Sequence, residues 1–247
     1  METLESQRLF WNTWNAANRE TDVSEVSRRQ AEVILGWLGE LNRRDLDIIE
    51  VGCGTGWFCP LLAKFGRVIG TDLSDEVLAR AQQRWPGVGF MAGDFASLPL
   101  KDATFDVVVS LEVLSHVADQ PSFIARIAQI LRPGGLLLLA TQNRAVLSEH
   151  CLIPPPAPGQ LRNWVDGQQL RSLLSPHFDI ERLISVTPVA HKGLRRILAS
   201  QRLNSLLRPV AGNALRNLME RNGWGWTLIA MARKFAPHDR ETEMPAT

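Results

Sequence analysis

The chain has 247 residues, of which 45% are apolar and 21% are charged, a balance typical of a folded globular core and too apolar for intrinsic disorder. Lys and Arg number 27 and Asp and Glu 26, so the near-neutral chain has no overall basic field to hold nucleic acid or an anionic membrane. The length corresponds to one large domain, or to one domain with an insertion.

Cysteine usage and the N-terminal sequence favour a cytoplasmic protein. The three cysteines, Cys53, Cys59 and Cys151, cannot form a disulfide framework, and their spacing is not that of a zinc site. The N-terminus has early acidic residues and no apolar run of signal-peptide length. Because no apolar stretch approaches about 18 residues, we also expect no transmembrane segment.

The predicted elements begin with two helices. Apolar residues at helical spacing predict a first helix over Leu4–Asn18, and Ser24 is a predicted N-cap for a second helix that runs to Leu41. The period then changes, and Asp47–Val51 is typical of a strand buried on both faces. Six more strands are predicted: Arg67–Thr71, Val88–Ala92, Asp106–Ser110, Leu136–Thr141, Phe178–Val186 and Trp226–Ala232. Helices are predicted at Trp57–Phe65, Asp75–Trp85, Pro121–Leu131 and Asp166–Leu174.

Alternating strands and helices at this spacing predict an α/β fold with a mostly parallel sheet and helices on both faces. Pro133-Gly134-Gly135 is predicted to form a turn before a central strand. The segment from His191 to Asn222 carries seven basic residues and one acid, with leucines at helical spacing, and predicts a basic helical insertion before the last strand. The tail, residues 236–247, is polar and is predicted to be flexible.

The clearest motif is Glu50-Val-Gly-Cys-Gly-Thr-Gly56, which directly follows a predicted strand and precedes a predicted helix. Glycines at such a turn let a ligand approach bare backbone, and the following helix start offers free N–H groups. The spacing is G-x-G-x-G, whereas dinucleotide folds use G-x-G-x-x-G. Glu50 either orders this loop or contacts the ligand.

Two acidic residues follow the next two strands. Asp72 lies 20 residues after Gly52, where a carboxylate can accept hydrogen bonds from both hydroxyls of a ribose. Asp94 and Phe95 combine a carboxylate with an apolar ring, a pair that suits an adenine. Leu73 and Ser110, beside the second strand's end and at the fourth strand's end, complete the predicted cofactor-binding set.

This order of motifs resembles the class I S-adenosylmethionine-dependent methyltransferases, and among them the small-molecule group that includes the ubiquinone-pathway O-methyltransferases. The resemblance lies in EVGCGTG, VIGTDLS, GDFASLPLKDATFDVVVSLEVLSHV and LRPGGLLLLATQN. It implies a Rossmann-like seven-stranded sheet whose last strand is antiparallel, with S-adenosyl-L-methionine at the carboxyl edge. By this resemblance Gly52, Gly54 and Gly56 line the methionine portion, Asp72 holds the ribose, and Asp94 and Phe95 hold the adenine.

The resemblance also implies a domain organisation. Residues 1–235 are predicted to form one methyltransferase domain, with N-terminal helices over 1–45 and a cofactor-binding core over 46–143. The acceptor side is then 144–235 and includes the basic insertion, 191–222. Three interpretations of that insertion stay open: a lid, a contact with an anionic carrier or membrane surface, or a homodimer contact.

His116 is the predicted general base, because it follows the fourth strand and its imidazole titrates near neutrality. The alternative is that His116 only fixes the loop after that strand. Glu112-Val-Leu-Ser-His116 is similar to the E-x-x-E-H magnesium segment of some relatives, but Ser115 replaces its second acid. Because a divalent ion prefers several carboxylates, no metal is predicted.

The predicted function is methyl transfer to an O, N or C atom of a small, partly apolar metabolite, with no DNA substrate. Trp11 and Trp14 lie on a predicted lid helix and either contact the acceptor or are plain core. Asn143, Arg144 and Trp164 are further predicted acceptor contacts. The alternatives are an RNA-modifying methyltransferase that uses the basic insertion, an NAD(P)-dependent oxidoreductase, and a cofactor-binding protein without catalysis.

Overall fold

The computed structural model describes residues 3–19, 23–192 and 214–236. The tail and most of the basic insertion lie outside these residues, so the three interpretations of the insertion stay predictions. Of the insertion, the helix Ala214–Arg221 is described, together with the short stretch that follows it.

The structure contains a seven-stranded sheet with the order β3-β2-β1-β4-β5-β7-β6. The strands are β1 (Leu46–Val51), β2 (Gly66–Asp72), β3 (Gly89–Ala92), β4 (Phe105–Leu111), β5 (Leu131–Gln142), β6 (Phe178–Pro188) and β7 (Gly225–Lys234). The first five strands pair in parallel, whereas β7 runs antiparallel to both of its neighbours. The Rossmann-like sheet with an antiparallel last strand is therefore confirmed.

The predicted helices flank this sheet in the predicted order, together with one helix that was not predicted, Arg144–His150. They are α1 (Leu4–Asn18), α2 (Glu25–Glu40), α3 (Cys59–Leu62), α4 (Asp75–Arg84), α5 (Gln120–Ile130), α6 (Arg144–His150), α7 (Gly167–Leu174) and α8 (Ala214–Arg221). The Ser24 hydroxyl accepts a hydrogen bond from the Ser27 N–H at 3.1 Å, which is the predicted N-cap of α2.

The sheet is apolar on both faces, because successive residues of the central strands enter different cores. Ile48 of β1 belongs to the same buried cluster as Ile34 and Leu38 of α2, whereas Ile49 belongs to the cluster that contains Ile124 and Ile127 of α5. This is the burial pattern expected of a sheet covered by helices on both sides.

Two predicted boundaries were wrong. The helix predicted over Trp57–Phe65 is only α3 and a following 3-10 turn, because Pro60 lacks an N–H and is tolerated only in the first turn of a helix. Pro133-Gly134-Gly135 forms no separate turn but lies within β5, at an irregularity where the pairing with β4 shifts.

The order of the strands also indicates where a ligand-binding crevice lies. The connections reverse direction between β1 and β4, and ligands of open α/β sheets bind at such a point, outside the carboxyl ends of the strands. The residues that follow β1, β2, β3 and β4 therefore converge on one edge.

Candidate active site

The turn after β1 is built from bare backbone. Gly52 and Gly54 have φ values of 74° and 53°, in the left-handed region that favours glycine. The N–H groups of Gly52 and Cys53 donate to the Thr71 carbonyl at 2.7 and 2.9 Å, which ties the turn to β2. A Cβ at Gly52 would lie 2.0 Å from Cγ2 of Val113, so the turn leaves no room for a side chain.

Asp72 connects the end of β2 to this turn. One carboxylate oxygen accepts the Gly54 N–H at 2.7 Å, and the other accepts the Ser74 N–H at 2.8 Å. Each oxygen has a second acceptor position, so these bonds leave capacity for hydroxyl groups of a ligand. Leu73 lines the same cavity as Asp72.

Glu50 lies at the base of the site with only 2% of its surface exposed. Its carboxyl accepts a hydrogen bond from the Cys59 thiol at 3.0 Å, and not from the N–H groups of the loop. Burial raises the pKa of Glu50 to about 8, and the nearby charge of Asp72 acts in the same direction. Glu50 is therefore predominantly neutral at pH 7.

Asp94 and Phe95 form the other end of the site. The Phe95 ring is buried, and its centroid lies 5.4 Å from that of Phe123 on α5. The Asp94 side chain accepts a long hydrogen bond, 3.3 Å, from the Ala96 N–H. An apolar ring next to a lightly engaged carboxylate suits a planar base with an exocyclic amine.

Helix α1 covers the turn after β1. Asn12 donates to the Asp75 carboxylate at 2.9 Å, and Arg8 pairs with the same carboxylate at 2.7 Å. Asn15 donates to the Ser74 hydroxyl at 3.3 Å, so α1 is attached to the start of α4, next to Asp72.

His116 lies on the 3-10 turn that follows β4, and its ring contacts Trp11 of α1 with centroids 4.6 Å apart. Its Nδ1 lies 2.7 Å from the Leu161 carbonyl, which can only accept, so Nδ1 carries the proton and Nε2 is left as the basic atom. Burial lowers the pKa of His116, and the charge of Arg162 lowers it further. The ring is therefore neutral near pH 7.

These features surround one cavity of about 720 Å³. It brings together most of the residues predicted from the sequence: Trp11, Trp14, Glu50, Gly52, Gly54, Asp72, Leu73, Asp94, Phe95 and His116.

The remaining predicted residues do not line this cavity. A Cβ at Gly56 would meet the Phe90 ring at 2.8 Å, so Gly56 faces the packing between sheet and helix. Ser110 is fully buried within β4. Asn143 donates to the carbonyls of Gly223 and Gly225, and is a structural link to the start of β7.

Two predicted acceptor contacts also have structural partners. Arg144 forms an ion pair with Asp166, the N-cap of α7. The indole N–H of Trp164 donates to the side-chain oxygen of Gln142 at 2.9 Å. Trp164 thus lies behind a cavity residue and does not itself line the cavity.

Sequence reasoning missed Arg19, Gln30, Gln142 and Trp226 as cavity residues. Gln142 ends β5, and Trp226 is the second residue of β7, which starts at the same edge because it runs antiparallel to β5. A search for residues at this edge of the sheet could therefore have identified both. Arg19 and Gln30 carry no such signal, because they reach the cavity from the N-terminal helices.

Two further observations concern the residues that the structure describes. No group of three or more His, Cys, Asp or Glu side chains in this part of the chain is arranged to hold a metal ion. No helix in the same ranges is long and apolar enough to cross a membrane.

Comparisons with known proteins agree with this geometry. Residues 49–139 match the family model described as "Methyltransferase domain". A "Probable S-adenosylmethionine-dependent methyltransferase" of Mycolicibacterium smegmatis is 42% identical over 103 residues, which are 41% of this chain and 40% of that protein. A "Ubiquinone biosynthesis O-methyltransferase" of Mesorhizobium japonicum is 36% identical over 107 residues, 41% of this chain and 43% of that protein. The chain thus spans about two fifths of these relatives.

A solved structure shares the fold over almost the whole chain. It is the Burkholderia thailandensis 1,6-didemethyltoxoflavin-N1-methyltransferase with bound 1,6-didemethyltoxoflavin and S-adenosylhomocysteine. Its TM-score is 0.62 at 20% identity, and the match covers 94% of this chain and 88% of that one. The comparisons confirm the predicted resemblance to the S-adenosylmethionine-dependent methyltransferases.

Proposed function

We propose that this chain, a member of the class I S-adenosylmethionine-dependent methyltransferases, transfers a methyl group to an O, N or C atom of a small, partly apolar metabolite by in-line displacement. The observation that carries the proposal is the single cavity that joins the bare-backbone turn, Asp72, Asp94 and His116. The groups proposed to bind the cofactor and a base candidate line the same cavity.

The residues present fit the cofactor. The Gly52–Gly54 turn is a cradle that a Cβ would fill, and the Asp72 carboxylate has free acceptor capacity for the ribose hydroxyls. The Thr55 hydroxyl is a buried cavity group without a hydrogen-bond partner among the described residues. When bound, S-adenosylmethionine supplies a methyl group that is already activated by the sulfonium. Asp94 and Phe95 would hold its adenine.

The protein's own task is then to align the acceptor and exclude water. Alignment of reacting groups can lower a barrier by about 7–11 kcal/mol without any further chemistry. Helix α1 closes one side of the cavity through Trp11 and Trp14, which line it. These tryptophans, with Trp226 on another side, favour an acceptor with apolar or aromatic surface.

Where the attacking atom carries a proton, His116 is the base. Nε2 is unprotonated because Nδ1 donates to the Leu161 carbonyl. The lowered pKa keeps the imidazole neutral near pH 7, so it is ready to accept a proton from the acceptor. Trp11 against the ring fixes its orientation.

The proposal is tested by calorimetry with S-adenosylmethionine, S-adenosylhomocysteine and NADH. We expect the two sulfur compounds to bind and NADH not to bind. Asp72→Ala should weaken S-adenosylhomocysteine binding by roughly 10- to 100-fold, the equivalent of one or two hydrogen bonds to a charged group. The matched control is Asp179→Ala, which changes an exposed aspartate on β6 far along the chain from the site.

The outcomes separate the alternatives. Binding of NADH alone would support the oxidoreductase and overturn the methyltransferase. An unchanged dissociation constant in Asp72→Ala would overturn the assignment of this carboxylate to the ribose. Circular dichroism of each variant distinguishes a lost ligand contact from a lost fold, because Asp72 also holds the N–H groups of Gly54 and Ser74.

A further inference from the structure

A polar cluster, which we call the Glu112 cluster, consists of Glu112, Gln30 and Gln142, which line the cavity, and of Thr227, which is fully buried. Oε1 of Glu112 accepts hydrogen bonds from Gln30 Nε2 at 2.6 Å and from the Thr227 hydroxyl at 3.2 Å. Gln30 Nε2 also contacts the Thr227 hydroxyl at 3.0 Å. The cluster therefore joins α2, the end of β4 and the start of β7.

The backbone of Glu112 is held in an unfavourable conformation. Its φ is 62°, which costs a residue other than glycine about 1–2 kcal/mol. The Glu112 N–H donates to the Ala140 carbonyl at 2.8 Å, which keeps the residue at the end of the sheet. Such strain directs the side chain into the cluster, and strain of this kind concentrates at binding and catalytic sites.

Gln30 is 1% exposed and lines the cavity, yet its Oε1 has no hydrogen-bond partner among the described residues. The amide cannot turn over to satisfy this oxygen, because Nε2 is required by the Glu112 carboxylate. A buried acceptor without a donor is costly, which marks the cluster as incomplete without a ligand.

Gln142 is the fourth member of the cluster, and the orientation of its amide is fixed by Trp164. The Trp164 indole donates to Oε1 of Gln142 at 2.9 Å, so the amide nitrogen is the group left for the Glu112 carboxyl, with which Gln142 also interacts. Trp164, predicted from the sequence as an acceptor contact, thus orients a residue that lines the cavity.

The hydrogen-bond donors and acceptors of the Glu112 cluster indicate which kind of group it can bind. Burial raises the pKa of Glu112, whereas its hydrogen bonds and the charge of Arg19 favour the carboxylate. The carboxylate offers about four acceptor positions, and the unpartnered amide oxygen of Gln30 adds to them, so the Glu112 cluster has more acceptors than donors. It therefore suits a group that donates hydrogen bonds. Arg19 lines the same cavity, and its positive charge opposes a cationic group such as an ammonium.

We propose, resting on the proposed function, that the Glu112 cluster is the subsite that recognises the methyl acceptor through an uncharged hydrogen-bond donor, a hydroxyl or an N–H. Glu112 precedes the 3-10 turn that carries His116, and the subsite opens on the cavity that the Gly52–Gly54 turn and Trp226 also line. It selects acceptors that carry such a donor on an apolar or aromatic body.

The test uses the full chain saturated with S-adenosylhomocysteine and three naphthalene probes of similar size. They are 2-naphthol, which has a neutral donor, 2-methoxynaphthalene, which has none, and 2-(aminomethyl)naphthalene, which is cationic at pH 7. Ligand-observed NMR titrations give the three dissociation constants. We expect 2-naphthol to bind about tenfold more tightly than 2-methoxynaphthalene, as one hydrogen bond to a charged group implies.

The variant that isolates the subsite is Glu112→Gln, which keeps the shape of the side chain but weakens the acceptor. It should reduce the preference for 2-naphthol by about fivefold and leave the affinity for S-adenosylhomocysteine within about twofold, because charge-assisted hydrogen bonds are roughly twice as strong as neutral ones. If Glu112→Gln does not fold, Gln30→Met is the second variant, and it should likewise reduce the preference for 2-naphthol. Glu149→Gln, an exposed glutamate of α6, is the matched control and should change neither quantity.

Each result has one consequence. Loss of the preference in Glu112→Gln with the cofactor affinity intact supports the subsite. Equal binding of 2-naphthol and 2-methoxynaphthalene, no binding of any probe, tightest binding of the amine, or an unchanged preference in the variants would overturn it. A wild-type chain that binds no S-adenosylhomocysteine would instead overturn the proposed function, and the subsite with it.

Discussion

His116 shows how a single tertiary contact changes the chemistry of a residue. Its position after β4 is visible in the sequence, but its hydrogen bond to the Leu161 carbonyl comes from 45 positions further along the chain. That bond selects the tautomer, and burial sets the protonation state. The sequence could therefore predict a base candidate but not which ring nitrogen is basic.

The protonation state of His116 is directly measurable. Burial disfavours the imidazolium, so we expect its pKa to lie below 6.5 and the Nδ1–H tautomer to predominate at pH 7. Nitrogen-15 NMR of the five histidine rings between pH 5 and 8 checks this, with the signal assigned by its absence from His116→Gln. A His116 ring that titrates at or above 6.5 would contradict the description of the site and weaken the case for a base.

At the scale of elements, the helix α1 was predicted with both of its ends, because its apolar spacing is local information. The position in which α1 packs is not determined by local sequence. Its attachment to the start of α4 depends on Asn12 and Asp75, which are 63 positions apart and have no pattern in common. The same limit applies to the Glu112 cluster, in which Gln30 and Thr227 are 197 positions apart.

The attachment of α1 predicts the effect of Asp75→Ala. This change removes the acceptor of both Arg8 and Asn12. The exposed ion pair with Arg8 contributes little, and the hydrogen bond of the buried Asn12 contributes about 1 kcal/mol. We expect α1 to detach more often, so that trypsin cleaves after Arg8 and Arg19 about three- to tenfold faster. Mass spectrometry of the fragments measures the rate.

Glu76→Ala is the control for this experiment, because Glu76 is the adjacent exposed acid in the same first turn of α4. It should leave the cleavage rate unchanged. Equal rates for Asp75→Ala and the wild type would mean that other contacts, such as that of Asn15 with Ser74, hold α1 in place.

At the scale of the whole molecule, the site follows from the sheet. Parallel strands with crossover helices bring the residues after β1, β2, β3 and β4 to one edge, so a rule about strand ends found most of the cavity residues that follow these strands. The same rule also selected Gly56 and Ser110, which pack inward. It selected them wrongly because it gives the position of a residue but not the direction in which the residue faces. The rest of the cavity depends on long-range packing of α1, α2 and β7, and was therefore predicted less completely.

Burial of Glu50 connects this site to the stability of the whole chain. The pKa of Glu50 is about 8 in the folded protein, against an ordinary value of 4.5. Between these two pH values the folded chain keeps a proton that the unfolded chain has released, so a rise in pH favours the unfolded state. The contribution of Glu50 to stability is thus greatest below about pH 4.5 and is lost progressively up to about pH 8.

Glu50→Gln removes this dependence, because an amide does not titrate. The free energy of unfolding of Glu50→Gln, relative to the wild type, should therefore rise with pH by up to about 1.4 kcal/mol per pH unit and become constant above about pH 8. Urea unfolding of both proteins at pH values from 6 to 9, without ligand, measures the difference, and Glu149→Gln on the exposed surface should show no such trend. Parallel curves for Glu50→Gln and the wild type would mean that Glu50 is already ionised in the folded chain, which its burial beside Asp72 argues against.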